Sequence, residues 1–460
     1  MENAKGIRTK LIIMNFLEFA IWGCYLVSMG IYLGSVGLGA NIFWFYTMQG
    51  LVSLVMPALI GIVADRWVPA QKMLSACHGL SGLFMLLAGF YCMSTGTPHF
   101  ATLFTLYSFA IAFYMPTIGL ANSVAFNALN KAGLDTVKNF PPIRVWGTVG
   151  FICSELFVNF TGFQSSYMQF ISSGFLSLIL MCYAFTMPAC PVNKSCGSSL
   201  ADSLGLSAFK LFKNPTMALF FIFSFLLGVC LQITNSYGTT FIDSFQHIAQ
   251  YADDWAAKNA TALTAISQAS EALCILLIPF CLKKFGIKGV ILTAMLAWVL
   301  RFGFFGIGNT GSGVIFLVLS CVVYGVAFDF FNVAGGLFVD QQTDRSIRSS
   351  AQGLFMIMTN GLGASVGTWV AGTFVVNRFV DMSSPNADAL ANLAGWHQSW
   401  FIFAGYALVI SILFMLLFRS PKKSNPQISL AKADTIGGGD PEGMAGVNGQ
   451  VTADKKCGDK

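Results

Sequence analysis

The sequence predicts an all-α polytopic membrane protein of about twelve transmembrane helices in two six-helix bundles, with both termini in the cytoplasm. Three observations predict this fold class: the composition, the series of apolar segments, and the distribution of basic residues among the loops. Of 460 residues, 55% are hydrophobic and only 10% are charged. A soluble protein needs a more polar surface, so the composition indicates a chain that folds in a lipid bilayer.

Apolar segments long enough for a helix to cross a bilayer core, which takes about 20 residues, follow one another along the chain. The first six occupy residues 11–33, 42–64, 73–93, 100–126, 144–161 and 166–187. The next six occupy residues 215–241, 262–282, 288–307, 313–339, 350–377 and 399–418. The first segment is longer than the apolar core of a signal peptide, so we expect it to be a membrane span.

This pattern divides the chain into four parts. We expect an N-terminal six-helix bundle over residues 1–189, a central cytoplasmic loop over 190–213 and a C-terminal six-helix bundle over 214–420. Residues 421–460 are rich in Gly, Asp, Lys and Pro, which predicts a disordered cytoplasmic tail.

Basic residues are frequent in alternate loops. One side carries Lys5, Arg8, Lys10, Arg66, Lys72, Lys131, Lys138, Lys194, Lys210, Lys213, Lys283, Lys284, Lys288, Arg345, Arg348, Arg419, Lys422 and Lys423. The opposite loops carry Lys258 and Arg378. Because cytoplasmic loops hold the excess of basic residues, both termini are expected in the cytoplasm. The net charge of +6 is thus explained by the membrane topology. The Lys and Arg residues are scattered through short loops, which argues against nucleic-acid binding.

A faint internal repeat relates the two halves. The second span ends in MPALIGIVADRW and the eighth in LLIPFCLKKFG, with Pro57 and Pro279 before a charged hairpin. The fifth span opens with PPIRVWG and the eleventh with RSIRSSAQG, which contain Arg144 and Arg348. Two six-span halves of the same orientation are typical of the major facilitator class, whose substrates bind near the midplane between the halves.

An acidic residue interrupts the tenth apolar segment. Asp329 lies within YGVAFDFFN, residues 324–332, in the middle of an otherwise apolar span. A carboxylate at the bilayer centre costs about 2.5–3.5 kcal/mol on insertion scales, so it normally faces a cavity or a partner. Asp329 therefore indicates an ion, proton or substrate route, and the alternative is a simple pairing with a neighbouring helix.

Other polar residues within the spans share helical faces. Arg144, Thr148, Phe151 and Glu155 are spaced i, i+4, i+7 and i+11 and form one stripe of the fifth span. Further candidates are Glu18, Trp22 and Tyr25 in the first span, Gln232 and Asn235 in the seventh, Ser267, Gln268 and Glu271 in the eighth, and Tyr324, Phe328 and Asn332 in the tenth. Each amide could equally join two helices by a hydrogen bond, worth about 0.6 kcal/mol.

A cavity with amides, carboxylates, one guanidinium group and aromatic faces suits a flat, polar, neutral solute. Amides can pair with the edge of a base, carboxylates accept hydrogen bonds from sugar hydroxyls, and aromatic rings stack on a planar ring. A nucleoside has all three features. A sugar or another small polar solute also fits the carboxylates and amides and remains an alternative.

Seven segments carry a resemblance to a known family. In chain order they are PALIGIVADRW, YMPTIGLAN, FPPIRVWGTVGF, LQITN, SQASE, YGVAFDFFN and RSSAQGLFMIMTNG. They resemble the bacterial nucleoside:proton symporter family of the major facilitator superfamily, over about residues 9–418. The resemblance implies uptake of purine and pyrimidine nucleosides with protons, by alternating access, across the bacterial cytoplasmic (inner) membrane.

The family motifs imply a central site between the halves. Its substrate-binding residues would be Arg144, Thr148, Phe151, Gln232, Asn235, Gln268, Glu271, Tyr324 and Phe328. Asp329, Glu271 and Arg144 would belong to a charge network that couples transport to protons. The chain departs from the family at Glu18, where an uncharged polar residue is expected, and at Glu155, where an apolar one is usual. Each adds a titratable group or pairs with a neighbour.

Proton coupling has a physical basis in buried carboxylates. Loss of water disfavours the charged form of a carboxyl group, whereas a nearby arginine favours it. A carboxylate whose partner moves between two states can therefore bind and release a proton. We hypothesise that Asp329 or Glu271 takes this role, with Arg144 as the competing cation.

An enzyme is not indicated, and we expect no cofactor or metal. The histidines, His78, His99, His247 and His397, match neither a metal-ligand spacing nor a catalytic triad, and we interpret His78 as a packed helix residue. A membrane-embedded enzyme or sensor is the alternative of a different class, and an efflux pump is an alternative within transport. We expect the protein to function as a monomer.

Overall fold

The computed structural model describes residues 4–191, 206–343, 348–382 and 388–419. These residues form helices and connections, and no β-strand occurs among them. The predicted central loop, 190–213, lies partly outside the described residues, and the predicted tail, 421–460, lies entirely outside them. The prediction of an all-helical chain is confirmed for the described part.

The N-terminal half contains seven α-helices in its described residues. They are α1 (Ala4–Gly23), α2 (Met29–Ser35), α3 (Ile42–Arg66), α4 (Ala70–Thr95), α5 (Phe100–Lys131), α6 (Thr136–Phe160) and α7 (Met168–Ala184). The first predicted span is divided between α1 and α2, because the chain forms a turn over residues 24–28.

Besides the four-residue helix Trp255–Lys258 and short 3₁₀ turns, the described part of the C-terminal half contains six helices. They are α8 (Pro215–Ser244), α9 (Ala260–Cys274), α10 (Ile278–Ile307) and α11 (Val314–Gln342), followed by a composite helix α12 and by α13 (Ala389–Leu417). Helix α12 consists of Arg348–Met356, π-helical Ile357–Gly363, Ala364–Val370, π-helical Ala371–Val376 and Asn377–Phe379.

The start of α8 follows from local chemistry. Asn214 Oδ1 accepts hydrogen bonds from the backbone nitrogens of Thr216, at 3.0 Å, and Met217, at 3.4 Å. Pro215, which has no N–H to satisfy, occupies the first turn. A capping asparagine followed by proline is a strong signal for the start of a helix. The local sequence therefore determines that α8 begins at this position.

Nine helices among the described residues are long and apolar enough to cross a membrane. One of them, Ala260–Ile307, contains the predicted eighth and ninth spans, which are separated by Gly286 with a φ of +67°. Helix α7 has 17 residues and falls short of the required length. The chain is therefore a multi-pass helical protein, and twelve crossings with cytoplasmic termini stay a prediction.

The two halves pack against each other at the end of the molecule opposite the N-terminus. A Cβ atom on Gly30 of α2 would lie 2.3 Å from Thr240 Oγ1 of α8, and one on Gly50 of α3 would lie 2.2 Å from Ser365 Oγ of α12. Only glycine permits such close approach of the helices. The large buried apolar cluster accordingly includes residues of both halves, such as Phe43 and Phe241.

Hydrogen bonds between the halves occur at the same end. Asn159 Nδ2 at the end of α6 donates to Asn259 Oδ1 at 2.7 Å, and the Ala262 nitrogen donates to Asn159 Oδ1 at 3.0 Å. Thr47 Oγ1 of α3 donates to the Ser365 carbonyl at 3.3 Å. Among the described residues, hydrogen bonds between the halves are confined to this end, so the gap between the halves is closed there.

A candidate solute site between the halves

Helix α6 supplies the polar stripe on the N-terminal side of the gap. Its regular turns keep Arg144, Thr148, Phe151 and Glu155 on one face, as predicted. The Arg144 guanidinium carbon lies 3.9 Å from the centroid of the Phe19 ring, so α1 holds this side chain by a cation–π contact. Thr148 is half-buried on the same face.

Phe151 and Glu155 lie deeper along the same stripe. The Phe151 ring is buried and packs edge-on against Trp22 of α1, with centroids 6.3 Å apart. Thr264 Oγ1 of α9 donates to Glu155 Oε1 at 3.1 Å, whereas Glu155 Oε2 has no hydrogen-bond partner among the described residues. The unusual glutamate therefore pairs with a neighbour through one oxygen and reaches across to the C-terminal half.

Charged side chains from α6, α9 and α11 interact with one another at the gap between the halves. Arg144 of α6 interacts electrostatically with Glu271 of α9, which in turn interacts with Asp329 of α11. The Asp329 side chain is 5% exposed, and its Oδ2 has no hydrogen-bond partner in the described part of the chain. The structure thus brings the three residues of the predicted charge network together, with one carboxylate oxygen available to a proton or a solute.

Two aromatic rings of α11 form a stacked pair beside these charges. The ring centroids of Tyr324 and Phe328 are 5.5 Å apart, and the ring planes differ by 20°. Tyr324 interacts electrostatically with both Glu271 and Asp329, so the stacked pair adjoins the charge network. Flat rings of this kind offer a face on which a planar solute can stack.

Arg301 of α10 was not among the candidate residues predicted from the sequence. This arginine is 3% exposed, and its guanidinium carbon lies 4.3 Å from the centroid of the Tyr324 ring. Its Nη1 donates to the Ser320 carbonyl at 2.9 Å and to Ser267 Oγ at 3.4 Å. An arginine within an apolar segment is as unusual as an aspartate, so the signal that identified Asp329 also existed for Arg301.

The predicted amides have different surroundings. Asn235 Nδ2 donates to Gln232 Oε1 at 3.0 Å, so the two side chains of α8 form a local pair. Gln268 Oε1 of α9 is buried and has no hydrogen-bond partner among the described residues. Asn332 Nδ2 donates to the Phe328 carbonyl at 3.0 Å, a hydrogen bond within α11. Gln268 therefore offers an unsatisfied acceptor, and buried acceptors normally have partners.

Glu18 lies away from the gap. Its side chain is fully buried inside the N-terminal half, where Oε2 is 2.8 Å from His78 Nε2 of α4. Trp22, on the same predicted stripe of the first span, instead contacts Phe151 and Tyr114. Glu18 thus has a neighbouring partner, and His78 is hydrogen-bonded as well as packed.

Over residues 5–423 the chain matches the sequence profile described as Nucleoside H+ symporter. The protein belongs to the nucleoside H+ symporter family. The resemblance predicted from the seven motifs is confirmed, and with it the prediction of a transporter and not an enzyme.

Relatives in this family cover almost the whole chain. The chain is 44% identical over 421 residues to the xanthosine permease of Escherichia coli (strain K12), covering 90% of this chain and 96% of that protein. It is 42% identical over 420 residues to the nucleoside permease NupG of Escherichia coli (strain K12), with the same two coverages.

Solved structures agree with the family. The crystal structure of the nucleoside transporter NupG is similar with a TM-score of 0.82 and 40% identity, covering 90% of this chain and 100% of that chain. The xylose transporter XylE of E. coli is similar with a TM-score of 0.56 at 12% identity, which shows a shared fold alone. The fold of this family member is therefore that of secondary transporters.

Proposed function

We propose that this chain carries nucleosides, purine and pyrimidine, into the cytoplasm together with protons across the bacterial inner membrane. The convergence of Arg144, Glu271 and Asp329 in the gap between the halves carries this proposal, in a chain that belongs to the nucleoside H+ symporter family. Charged groups buried at membrane depth normally mark a transport or proton route. The transported species are the nucleoside and the proton, and no nucleic acid takes part.

The solute site has a face for each part of a nucleoside. The stacked rings of Tyr324 and Phe328 receive the base by ring stacking. The amides Gln232, Asn235 and Gln268 supply donors and acceptors for the edge of the base, and the unsatisfied Gln268 Oε1 supports this role. Arg144, Thr148 and Phe151 close the site from the N-terminal half, and Arg144, Thr148 and Glu271 orient the sugar hydroxyls.

Proton coupling depends on Asp329 and its electrostatic neighbours. In the charged form, Asp329 and Glu271 repel each other, and Arg144 offsets the charge of Glu271. A proton on Asp329 Oδ2 removes one buried charge and frees Arg144 and Glu271 to engage the solute. Neutralising a buried charge lowers the cost of enclosing the site, so the halves rock when both the proton and the solute are bound.

The architecture fits alternating access by two bundles. We propose twelve crossings, with bundles over residues 1–189 and 214–420, a cytoplasmic loop over 190–213, a cytoplasmic tail over 421–460 and a single chain as the transport unit. The charged residues of α1, the joining of the eighth and ninth spans and the short α7 account for the difference between twelve predicted spans and nine long apolar helices. With cytoplasmic termini, the closed end faces outward and the site opens to the cytoplasm.

Uptake into proteoliposomes tests the proposed function. Purified protein is reconstituted, an inward proton gradient is imposed, and labelled uridine is measured inside the vesicles with and without an uncoupler. We expect gradient-driven accumulation that other nucleosides inhibit and that free sugars leave unchanged. Equal inhibition by sugars would favour a sugar transporter, and accumulation that ignores the gradient would contradict symport.

A further inference from the structure

A buried polar cluster occupies the interior of the N-terminal half, apart from the solute site. Glu18 Oε2 lies 2.8 Å from His78 Nε2, and both side chains are 0% exposed. Glu18 Oε1 accepts from Thr117 Oγ1 at 2.6 Å, and the Glu18 carbonyl accepts from the Tyr114 hydroxyl at 2.7 Å. Ser177 Oγ lies 3.1 Å from His78 Nδ1. Helices α1, α4, α5 and α7 thus meet at one carboxylate–imidazole pair.

The hydrogen bonds around Ser177 determine where the protons of His78 lie. Ser177 Oγ is also 3.1 Å from the His78 carbonyl, to which it donates. A hydroxyl group has a single proton to donate, so Nδ1 must donate its own proton to Ser177 Oγ. In a neutral imidazole with a proton on Nδ1, Nε2 carries only a lone pair.

A lone pair on Nε2 is incompatible with the contact to an ionised carboxylate. At 2.8 Å the Glu18 oxygen and His78 Nε2 are at hydrogen-bond distance, and two facing lone pairs would repel each other. A proton between them makes the contact a hydrogen bond, whether it resides on nitrogen or on oxygen. It also makes the pair neutral overall, which avoids the cost of an unpaired charge in the interior.

We propose that Glu18 and His78 form a proton-binding site in the N-terminal half, with the proton held between Oε2 and Nε2. This site is distinct from Glu271 and Asp329, which lie on α9 and α11 of the other half. The presence of a proton at this site is inferred from the hydrogen bonds alone. Its influence on the coupling of protons to solute transport rests on the proposed nucleoside transport.

The surroundings connect this proton to the solute site. The charged or titratable side chains that face the pair or the residues in contact with it are Cys24 and Tyr25 in the turn after α1, Cys77 on α4, Tyr114 on α5 and Arg144 on α6. Helix α7 contributes the neutral hydroxyl of Ser177. Arg144 is the cation in this group and interacts with Glu18 as well as with Glu271. Loss of the proton would leave the pair with a net negative charge, which competes with Glu271 for Arg144.

Nitrogen-15 NMR of the histidine rings tests the site directly. Full-length protein with ¹⁵N-histidine is studied in nanodiscs near neutral pH, and His78→Asn assigns the signals of His78. We expect Nδ1 to be protonated and Nε2 to be protonated or to share a proton, and Glu18→Gln to remove the proton from Nε2. A proton located wholly on Glu18 would appear as a carboxylic acid infrared band that Glu18→Gln abolishes, which also supports the site.

The opposite tautomer would overturn the inference. If wild-type His78 carries its only ring proton on Nε2, Ser177 donates to Nδ1 and no additional proton is bound. This measurement needs no variant of Glu18, so it stands even if Glu18→Gln fails to fold. Glu155→Gln is the matched control, because it removes another buried carboxylate that has no histidine partner, and the His78 signals should not change.

The pH profile of uridine uptake tests the connection to transport. In Glu18→Gln we expect uptake whose dependence on pH differs in shape from that of wild type, because Arg144 no longer responds to a proton on the pair. A profile identical to that of wild type would overturn the influence on coupling. Failure of wild type to take up uridine would instead contradict the proposed function and leave the NMR result intact.

Discussion

Arg301 shows how one buried side chain can support a solute site without lying in it. Its guanidinium group lies 4.3 Å from the Tyr324 ring centroid, and Ser320 Oγ donates back to the Arg301 carbonyl at 2.8 Å. Helices α10 and α11 are therefore fixed to each other directly behind the stacked rings. A desolvated cation–π contact contributes about 2 kcal/mol, so this arginine holds the ring face that receives the base.

Replacing Arg301 should weaken solute binding. Arg301→Leu removes the cation–π contact and the bond to Ser320, so the Tyr324 ring loses its support. We expect uridine affinity to fall about 5- to 30-fold, which corresponds to about 1–2 kcal/mol. Isothermal titration of the purified variant measures the change, with Tyr324→Phe as a control that keeps the ring. Unchanged affinity in a variant with wild-type melting temperature would refute the supporting role.

The sequence predicted some residues of the site well and others poorly, for physical reasons. Asp329 was identifiable because a carboxylate in an apolar span needs a partner or a cavity. The surroundings of Glu18 were not predictable, because a polar residue on a largely apolar helix can face either the gap or a neighbouring helix. The positions of α4 and α5 decide which of these faces Glu18 occupies. The spacing of residues along α1 does not predict where α4 and α5 pack.

At the scale of helices, hydropathy located the spans but not their internal irregularities. The turn between α1 and α2 and the two π-helical segments of α12 lie within apolar sequence, whereas the break at Gly286 lies in the charged hairpin predicted between the eighth and ninth spans. The side chains of the turn and of the π-helical segments are as apolar as those of a regular helix, so the pattern along the chain stays the same. Such irregularities depend on how closely neighbouring helices approach, as at Gly228 of α8, where a Cβ would lie 2.5 Å from the Thr359 carbonyl oxygen.

A bulky residue at the contact of α3 and α12 should open the closed end. Gly50→Leu displaces Ser365, because the first added atom would already lie 2.2 Å from its Oγ and 3.2 Å from the Gly361 carbonyl oxygen. We expect faster hydrogen exchange in Ile357–Gly363 and a strong loss of uridine uptake, since the halves can no longer close there. Hydrogen–deuterium exchange with mass spectrometry measures the first effect.

Gly405→Leu is the matched control for this substitution. Gly405 is an exposed glycine of α13 with nothing within 4 Å of an added Cβ, so exchange and uptake should stay near wild type. If Gly50→Leu showed the same hydrogen exchange and the same uridine uptake as Gly405→Leu, the close contact of α3 and α12 would not be needed to close this end of the gap.

For the whole molecule, family and fold could be predicted because the motifs are long and their order spans the chain. Which end of the gap is closed could not be predicted, since the same sequence must adopt both the inward-open and the outward-open arrangement. The contacts of Asn159 with Asn259 and of Thr47 with Ser365 belong to one of these states. Their burial and hydrogen bonds identify the state, and no pattern in the sequence does.

The orientation in the membrane is the next whole-molecule prediction. Asp253 lies exposed between α8 and α9, and Lys138 lies exposed near the start of α6. On a background without reactive cysteines, we expect a membrane-impermeant maleimide to label Asp253→Cys in intact cells and Lys138→Cys only after permeabilisation. Labelling of the two positions in the reverse order would place the termini outside the cytoplasm.

The most direct test of the account compares two activities of Asp329→Asn in proteoliposomes. Asparagine keeps the size of the side chain but cannot exchange a proton at Oδ2, so proton coupling should fail while the solute site survives. We predict that uridine counterflow persists, whereas accumulation driven by a proton gradient is lost together with its pH dependence. Accumulation that keeps both its extent and its pH dependence in Asp329→Asn would contradict the account.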